Sequence, residues 1–296
     1  MNPSAGAGAS GVARTWRCGA RTFDLAARPL VMGVLNVTPD SFSDGGRFLD
    51  PGAALAHADR LLAEGADLID AGAESTRPGA EAVPHAEQWR RLAPVLAGLA
   101  ARGACVSVDT ASAWVAERAL GAGAQVVNDV SALGDPAMAG VVAGAGAGVV
   151  LMHMRGTPRS MQDHPHYEDV RAEVEAFLLA RARAAEGAGI AREAIAVDPG
   201  IGFGKTVEHN LALLAGIAGL ARRGYPVVIG ASRKSFLGRL LDLPVGERQE
   251  AGLAVAAIAV FEGARVIRTH DVAATVRAVR IAGAVRGARD APRDGE

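Results

Sequence analysis

The chain lacks the features by which several large classes of protein are recognised. It has only two cysteines in 296 residues, Cys18 and Cys105. They lie far apart and match neither a disulfide framework nor a metal-binding spacing. No run of about 18 apolar residues is present, and the N-terminus has no basic start followed by an apolar segment, so neither a transmembrane helix nor a signal peptide is predicted. These absences favour a cytoplasmic protein without a membrane partner.

The chain also has almost no net charge and few aromatic residues. The formal net charge is −1, and aromatic residues make up 4% of the chain. Without an excess of positive charge, a nucleic acid partner is not predicted. The seven histidines show no HExxH spacing, so no zinc site of that kind is expected. What the chain does have is a hydrophobic content of 50%, which is enough for a large core.

Eight short apolar runs form the main pattern, and helical periodicity separates each run from the next. Parallel strands buried on both faces read as such runs. Eight of them alternating with helices predict a single-domain α/β protein, a (β/α)₈ TIM barrel. In order, the runs are LVMGVLN (30–36), ADLID (66–70), CVSVD (105–109), QVVND (125–129), GVVLMH (148–153), AIAVD (194–198), PVVIGAS (226–232) and RVIRTH (265–270).

The pattern also sets the predicted boundaries. Residues 1–13, rich in Gly, Ala and Ser, predict a flexible tail, 14–285 the barrel, and 286–296 a second, disordered tail. The stretch 249–261 is apolar nearly all round, so we expect it to pack between the barrel and a further element, for which a neighbouring subunit is one candidate. The other predicted helices cover 51–64, 85–101, 112–122, 168–186 and 207–222.

Long polar loops follow the strands, which places the expected active site at the carboxyl ends of the barrel strands. One such loop, GIGFGKT, resembles a phosphate-binding loop. The pattern GxxxxGK[ST] would need glycine where Pro199 stands, so we reject that interpretation.

Polar residues at the strand ends are the candidate site. Asp109 is either a helix cap or a buried carboxylate that accepts paired hydrogen bonds from a guanidine-like ligand edge. Asp198 precedes Pro199 and a glycine-rich loop, so capping explains it poorly and the second role is favoured. Asn128, both donor and acceptor, could read the rest of such a ligand.

Cationic and aromatic residues extend this candidate site. Arg233 and Lys234 follow the seventh run, and Arg268 and His270 end the eighth. They are either solvated surface groups or a site for phosphate or pyrophosphate, which TIM barrels often bind there. Asn36 is a possible oxygen ligand for Mg²⁺. Two aromatic residues in loops either pack those loops or stack on a flat ligand, and they are Phe42 and Phe203.

With these residues in hand, the chain resembles the dihydropteroate synthase family from about residue 30 to residue 279. The resemblance implies condensation of 6-hydroxymethyl-7,8-dihydropterin pyrophosphate with 4-aminobenzoate in folate biosynthesis. It implies a monofunctional, homodimeric enzyme of bacterial type that uses Mg²⁺ and belongs to a family of sulfonamide targets. The segments that carry it are NVTPDSFSDGG (36–46), GADLIDAGAESTRPG (65–79), SVDT (107–110), NDVSA (128–132), LMHMRGTP (151–158), DPGIGFGKT (198–206), GASRKSFLG (230–238) and RTHDV (268–272).

The resemblance also implies residue roles. The pterin site would comprise Asp109, Asn128, Met152, Asp198, Phe203, Gly230 and Lys234. The 4-aminobenzoate site would comprise Phe42, Thr76, Arg77, Pro78, Ser232 and Arg233. Pyrophosphate would contact Asn36, Arg268 and His270, with Asn36 also reaching the metal. The catalytic residues would be Asp109, Lys234, Arg268 and His270, acting by an SN1-like route through a pterin cation.

Two alternatives remain at this stage. A methyltetrahydrofolate-binding methyltransferase domain would share the acids but would not need the cationic ends of the last two strands. A non-catalytic pterin-binding paralogue would be expected to have lost some polar strand-end residues. The sequence assigns no role to Asp70, Asp129 or His153.

Overall fold

The computed structural model of the protein describes residues 11–38, 50–75, 79 and 82–290. Within them, eight parallel strands alternate with helices, which confirms the predicted TIM barrel. No helix in the described ranges is long and apolar enough to cross a membrane. Four predicted site residues lie outside these ranges, and they are Phe42, Thr76, Arg77 and Pro78.

In the described part of the chain, ten strands form two sheets. An antiparallel hairpin precedes the barrel, and it consists of β1 (Thr15–Cys18) and β2 (Arg21–Asp24). The barrel strands are β3 (Leu30–Asn36), β4 (Leu68–Gly72), β5 (Val106–Asp109), β6 (Val126–Asp129), β7 (Gly148–Met152), β8 (Ile195–Asp198), β9 (Val228–Ile229) and β10 (Val266–Thr269). They pair in chain order from β3 to β8, and β10 lies between β3 and β9. A parallel bridge between Val197 and Val227 closes the ring.

The described residues form ten α-helices, which surround or extend the barrel. They are α1 (Pro51–Ala63), α2 (His85–Ala101), α3 (Ala113–Gly121), α4 (Met138–Ala145), α5 (Val170–Gly187), α6 (Val207–Ala215), α7 (Ile217–Ala221), α8 (Ser235–Leu241), α9 (Gln249–Glu262) and α10 (Val272–Asp290). The predicted helix 207–222 is divided at Gly216, and α8 forms where no helix was predicted.

Short-range capping explains where several helices begin. The Asp50 side chain accepts a hydrogen bond from the Gly52 amide at 2.8 Å, and Pro51 stands in the first turn, where its missing N–H costs nothing. Helix α3 is capped by Ser112, whose hydroxyl accepts from the Val115 amide. Asp109 is therefore not the cap of the helix that follows it, which answers one of the two alternatives for this residue.

The hairpin β1–β2 was not predicted. It covers the amino-terminal end of the barrel, where Trp16 is fully buried and its indole N–H donates to the Ala194 carbonyl at 3.2 Å. Both cysteines are free and buried in this part of the core. The hairpin closes the end of the barrel opposite the predicted site.

The carboxyl-terminal boundary needs a correction. Residues 286–296 were predicted to be a disordered tail, but α10 continues to Asp290. Arg286 is buried there, and its guanidinium donates to the Val260 carbonyl of α9 at 3.3 Å. Tertiary packing thus extends a helix through a segment whose composition alone indicated disorder.

Alternation along the strands decides which side chains enter the barrel. Successive residues of a strand point to opposite faces. The lower interior is apolar and includes Met32, Leu68, Cys105, Val126, Val150, Ala196, Val228 and Val266. Two positions further along the same strands lie Val34, Asp70, Ser107, Asn128, Met152, Asp198, Gly230 and Arg268. The larger core lies outside the ring, between the barrel and the helices.

Candidate active site

An ionic network crosses the carboxyl-terminal mouth of the barrel. Arg268 on β10 donates through Nε to Asp70 Oδ2 at 2.6 Å and through Nη2 to Asp109 Oδ2 at 2.8 Å. Asn128 Nδ2 donates to the same Asp70 oxygen at 3.0 Å. Strands β4, β5, β6 and β10 therefore contribute one side chain each to a single connected group.

Three acceptor oxygens in this mouth have no hydrogen-bond partner among the described residues. They are Oδ1 of Asp109, Oδ1 of Asn128 and Oδ2 of Asp198. Asp198 uses its other oxygen to accept from the Gly200 amide at 2.7 Å. That short local bond orients the carboxylate and leaves its second oxygen available. The three oxygens suit a ligand edge rich in N–H groups.

Lys234 lies near these acceptors, and the carboxylates of Asp198 and Asp109 both act on its ammonium. Its ammonium donates to the Ile201 carbonyl and lies 4.2 Å from the centre of the Phe203 ring. Burial lowers the pKa of Lys234 to about 7, although the carboxylate of Asp198 acts against that shift. Phe203 thus contacts a cation at the mouth, so it does more than pack its own loop.

Burial shifts the other ionisable groups of the mouth as well. It raises the pKa of Asp109 to about 7 against the opposing effect of Arg268. It also raises the pKa of Asp198, with Lys234 acting in the opposite direction. Burial disfavours the charge of Arg268, but the carboxylates of Asp70 and Asp109 outweigh it and raise the pKa of the guanidinium. Strongly shifted groups gathered in one mouth are typical of functional sites.

Other predicted residues border this network. Met152 and Gly230 are buried beside it, and a Cβ placed on Gly230 would lie 3.6 Å from the Cβ of Arg268. The Ser232 hydroxyl lies 3.1 Å from His270 Nδ1. Asn36 ends β3 and makes no side-chain hydrogen bond with another described residue.

Arg233 is placed differently from the other cations. It is exposed, adopts the left-handed backbone conformation at φ 60°, and forms an ion pair with Asp271 at 2.6 Å. A non-glycine residue in this conformation is uncommon, and here the ion pair and an Arg248 bond to the Arg233 carbonyl hold it. It therefore lies at the rim of the mouth, outside the ionic network.

Asp70, Asp129 and His153 had no predicted role, and the structure places only the first of them inside the barrel mouth. Asp70 lies in the middle of β4, since that strand continues to Gly72, and its side chain enters the network. Asp129 points outward, where it accepts from the Ser131 and Leu133 amides at 2.8 and 2.6 Å. His153 also lies outside the network, with its ring edge against Phe177.

Sequence reasoning missed Asp70 and Lys205 as members of the site region. The run ADLID was taken to end at Asp70, and only the alternation of β4, with Leu68 in the lower core, shows that this side chain faces inward. Lys205 is buried below the mouth, although it belongs to a polar, glycine-rich loop. Nothing in the local sequence distinguishes a buried lysine there from a solvated one.

Comparisons with known proteins agree with this geometry. Residues 32–270 match the sequence profile of the family described as "Pterin binding enzyme". The dihydropteroate synthase of Escherichia coli is 43% identical over 265 residues, which cover 89% of this chain and 94% of that protein.

Solved structures match over nearly the whole chain. Yersinia pestis dihydropteroate synthase with a sulfonamide drug superposes with a TM-score of 0.87 at 44% identity, covering 92% of this chain and 99% of that one. The Xanthomonas albilineans enzyme with 4-aminobenzoic acid gives a TM-score of 0.86 at 46% identity, covering 95% and 100%.

Proposed function

The chain belongs to the dihydropteroate synthase family of pterin-binding enzymes, and we propose that the ionic network at its barrel mouth binds and activates the pterin substrate. The reaction joins 6-hydroxymethyl-7,8-dihydropterin pyrophosphate to 4-aminobenzoate and releases pyrophosphate. The assignment of roles to individual residues below is our proposal.

The observation that carries the proposal is the set of three open acceptors held by Asp109, Asn128 and Asp198. A pterin presents an amino group beside a ring N–H, the donor pattern of a guanidine edge. One buried carboxylate can accept two parallel hydrogen bonds from such an edge. The remaining ring N–H groups would then meet the other two acceptors, and Phe203 and Met152 would flank the flat ring.

Arg268 supports the leaving group in this proposal. Asp70 holds its Nε, while Nη1 has no hydrogen-bond partner among the described residues. When Asp109 accepts hydrogen bonds from the pterin edge, Nη2 of Arg268 can leave Asp109, and both Nη atoms can then donate to the pyrophosphate. His270 and Ser232 border the same region. Positive charge placed where negative charge develops lowers the barrier most effectively.

The chemical step can then proceed without a covalent enzyme intermediate. The bond between the pterin methylene carbon and oxygen breaks, and its electron pair leaves with pyrophosphate. The carboxylates of Asp109 and Asp198 lie close enough to the ring site to stabilise the resulting cation. The amine of 4-aminobenzoate donates its lone pair to that carbon and then loses a proton. The two cysteines are buried at the other end of the barrel and cannot act as nucleophiles.

For 4-aminobenzoate, the described part of the site offers Ser232 and Arg233. Ser232 lies between the network and the rim, and Arg233 is exposed at the rim with Asp271 as its partner. A carboxylate entering from solvent could exchange with Asp271 for this guanidinium. We place 4-aminobenzoate here, with sulfonamides competing for the same position, since the Yersinia pestis relative was solved with such a drug.

Mg²⁺ fits this mouth as a companion of the pyrophosphate. The described residues contain no cluster of three or more His, Cys, Asp or Glu side chains able to hold a metal ion. Mg²⁺ that arrives with substrate phosphates needs only one or two protein oxygens, and the unengaged Asn36 carboxamide can supply one. The ion would neutralise charge on the leaving pyrophosphate.

We also propose that the chain forms a homodimer through α9 and α10. These two helices pack against each other, and they expose Ile258, Ile281 and Val285 with more than half of each side chain accessible. Aliphatic side chains exposed on two adjacent helices indicate a surface that another protein covers. Ile281→Glu is expected to yield monomers in light scattering, and an unchanged mass would contradict the proposal.

Two variants that carry the same substitution test the residue assignments. Pyrophosphate release should require both substrates. Asp198→Asn is expected to raise KM for the pterin substrate at least about tenfold, because it removes a charged acceptor. Asp129→Asn, which changes an outward-facing acid at the end of β6, should leave that KM within about twofold. An equal rise in KM in both variants would overturn the assignment of Asp198 to the pterin site. Release of pyrophosphate in the absence of 4-aminobenzoate would contradict the proposed condensation.

A further inference from the structure

Lys205 is buried, and the mechanism proposed above assigns it no role. Its side chain is only 2% exposed, and it forms no salt bridge with a carboxylate among the described residues. The ammonium donates instead to three neutral acceptors, which are His153 Nδ1 at 3.0 Å, the Phe203 carbonyl at 2.8 Å and the His153 carbonyl at 3.4 Å. Burial lowers the pKa of Lys205 to about 7. Whether the amine is charged or neutral, its buried N–H groups need acceptors, and the three acceptors in turn depend on this one donor.

His153 is matched to this role as an acceptor. Burial lowers the pKa of His153 to about 3, with the Lys205 charge adding to the effect, so the ring is neutral. In the tautomer that carries its proton on Nε2, Nδ1 accepts a hydrogen bond from Lys205 Nζ. The His153 amide in turn donates to the Asp198 carbonyl at 2.9 Å. The Lys205–His153 pair is therefore attached directly to the strand end that carries Asp198.

The segment from Asp198 to Lys205 has an unusual hydrogen-bonding pattern. Four successive carbonyls, those of residues 201–204, each accept a hydrogen bond from a side chain. In chain order the donors are Lys234, Gln162, Lys205 and Tyr167. Gly200, Gly202 and Gly204 alternate with other residues and all have positive φ, which turns consecutive carbonyls in different directions.

Among these four donors, Lys205 is the one that links the loop to the strand end carrying Asp198. It holds the carbonyl of Phe203, whose ring faces the Lys234 ammonium, and through His153 it contacts the backbone of Asp198. Loss of the ammonium would leave three buried acceptors without a donor. The loop would then have to rearrange, and both Phe203 and Asp198 would move with it.

We propose that Lys205 is a positioning residue that fixes the loop 199–204, and with it Asp198 and Phe203, in the conformation that binds the pterin ring. This proposal rests on the pterin site assigned above. It predicts an effect on pterin affinity in particular. A purely structural role would lower the amount of folded enzyme without changing its affinity.

Lys205→Met tests the proposal because it keeps the length of the side chain and removes the donors. We expect KM for the pterin substrate and Kd for 6-hydroxymethylpterin to rise at least about tenfold, while KM for 4-aminobenzoate changes by less than about threefold. Lys205→Gln keeps two N–H donors on a shorter chain and should recover part of the loss. If Lys205→Met fails to fold, a rise of at least about threefold in Lys205→Gln is the expected result.

Leu25→Ala is the matched control for stability. Leu25 is fully buried in the core at the opposite end of the barrel, so truncation should cost about 2–5 kcal/mol of folding free energy without touching the site. Its pterin Kd should stay within about twofold of the unmodified enzyme. A Kd within that range in a folded Lys205 variant would overturn the positioning role. If the unmodified enzyme itself did not bind the pterin, the site assignment would be at fault instead.

Discussion

Removal of the Arg268 guanidinium should separate the stabilising effect of the ionic network from its catalytic effect. In Arg268→Met, Asp70 and Asp109 lose their common partner and face each other across a buried space, with Oδ1 of Asp70 already lacking a partner. Breaking a buried ion pair by removing one partner typically costs about 3–5 kcal/mol. For a domain of this size that corresponds to a fall in Tm of about 6–20 °C.

The loss of stability in Arg268→Met should become larger as the pH rises. Burial raises the folded-state pKa of Asp109 above its value in the unfolded chain, and Arg268 opposes that rise. Without Arg268 the folded-state pKa rises further, so the ionised carboxylate destabilises the fold between the unfolded and the folded pKa values. Below both pKa values the carboxyl is neutral in both states, and the penalty disappears. The fall in Tm should therefore be larger at about pH 8 than at about pH 5.

A second substitution in the same chain provides the decisive comparison. Asp70→Asn added to Arg268→Met removes one uncompensated charge and should recover about 1–2 kcal/mol. Turnover should stay about 10²–10³-fold below that of the unmodified enzyme in both variants, because the donor to pyrophosphate remains absent. Thermal unfolding and a pyrophosphate-release assay measure the two effects. An unchanged Tm in the single variant, or restored turnover in the double variant, would refute the reasoning.

Three further predictions follow from the site. Since Asp109 must be ionised and Lys234 protonated, and both have a pKa of about 7, kcat/KM for the pterin substrate should fall on either side of neutrality. A flat profile between about pH 5 and 9 would contradict this. Gly200→Ala should abolish pterin binding in titration calorimetry, because φ at this position is +68° and a Cβ would overlap the His153 carbonyl. The control is Gly187→Ala, where a Cβ would meet open space. Its folding free energy, derived from Tm, should stay within about 1 kcal/mol of the unmodified enzyme. Asn36→Ala should raise the Mg²⁺ concentration needed for half-maximal rate, and an unchanged requirement would remove Asn36 as a metal contact.

Much of the barrel could be predicted from the sequence because its parallel strands are buried on both faces. All eight apolar runs contain a strand, and helix α2 has the predicted bounds. The hairpin β1–β2 was missed because its burial depends on the barrel beneath it, and four-residue strands carry little periodicity of their own. The extension of α10 to Asp290 was missed for a similar reason, since Arg286 is held by contacts with α9.

The site was predicted less completely than the fold, and side-chain direction explains the difference. Asp198 and Asn128 share the inward face with the apolar residues two positions before them, whereas Asp129 lies one position away and faces the helices. Alternation along a strand could have made that distinction from the sequence. The ion pairs of Arg268 could not be foreseen, because they join strands separated by 159 and 198 positions along the chain.

The GIGFGK segment shows why motif likeness and hydrogen-bond direction must be considered together. A phosphate-binding loop points its backbone N–H groups at the ligand. Here the amides of Gly200, Gly202 and Phe203 donate within the protein, to Asp198 Oδ1, Asn210 Oδ1 and the Gly200 carbonyl. The carbonyls of the segment are the groups that meet the lysine side chains. With this polarity the loop presents carbonyls to lysine side chains instead of amides to an anion, so its likeness to a phosphate-binding loop does not extend to its hydrogen bonding.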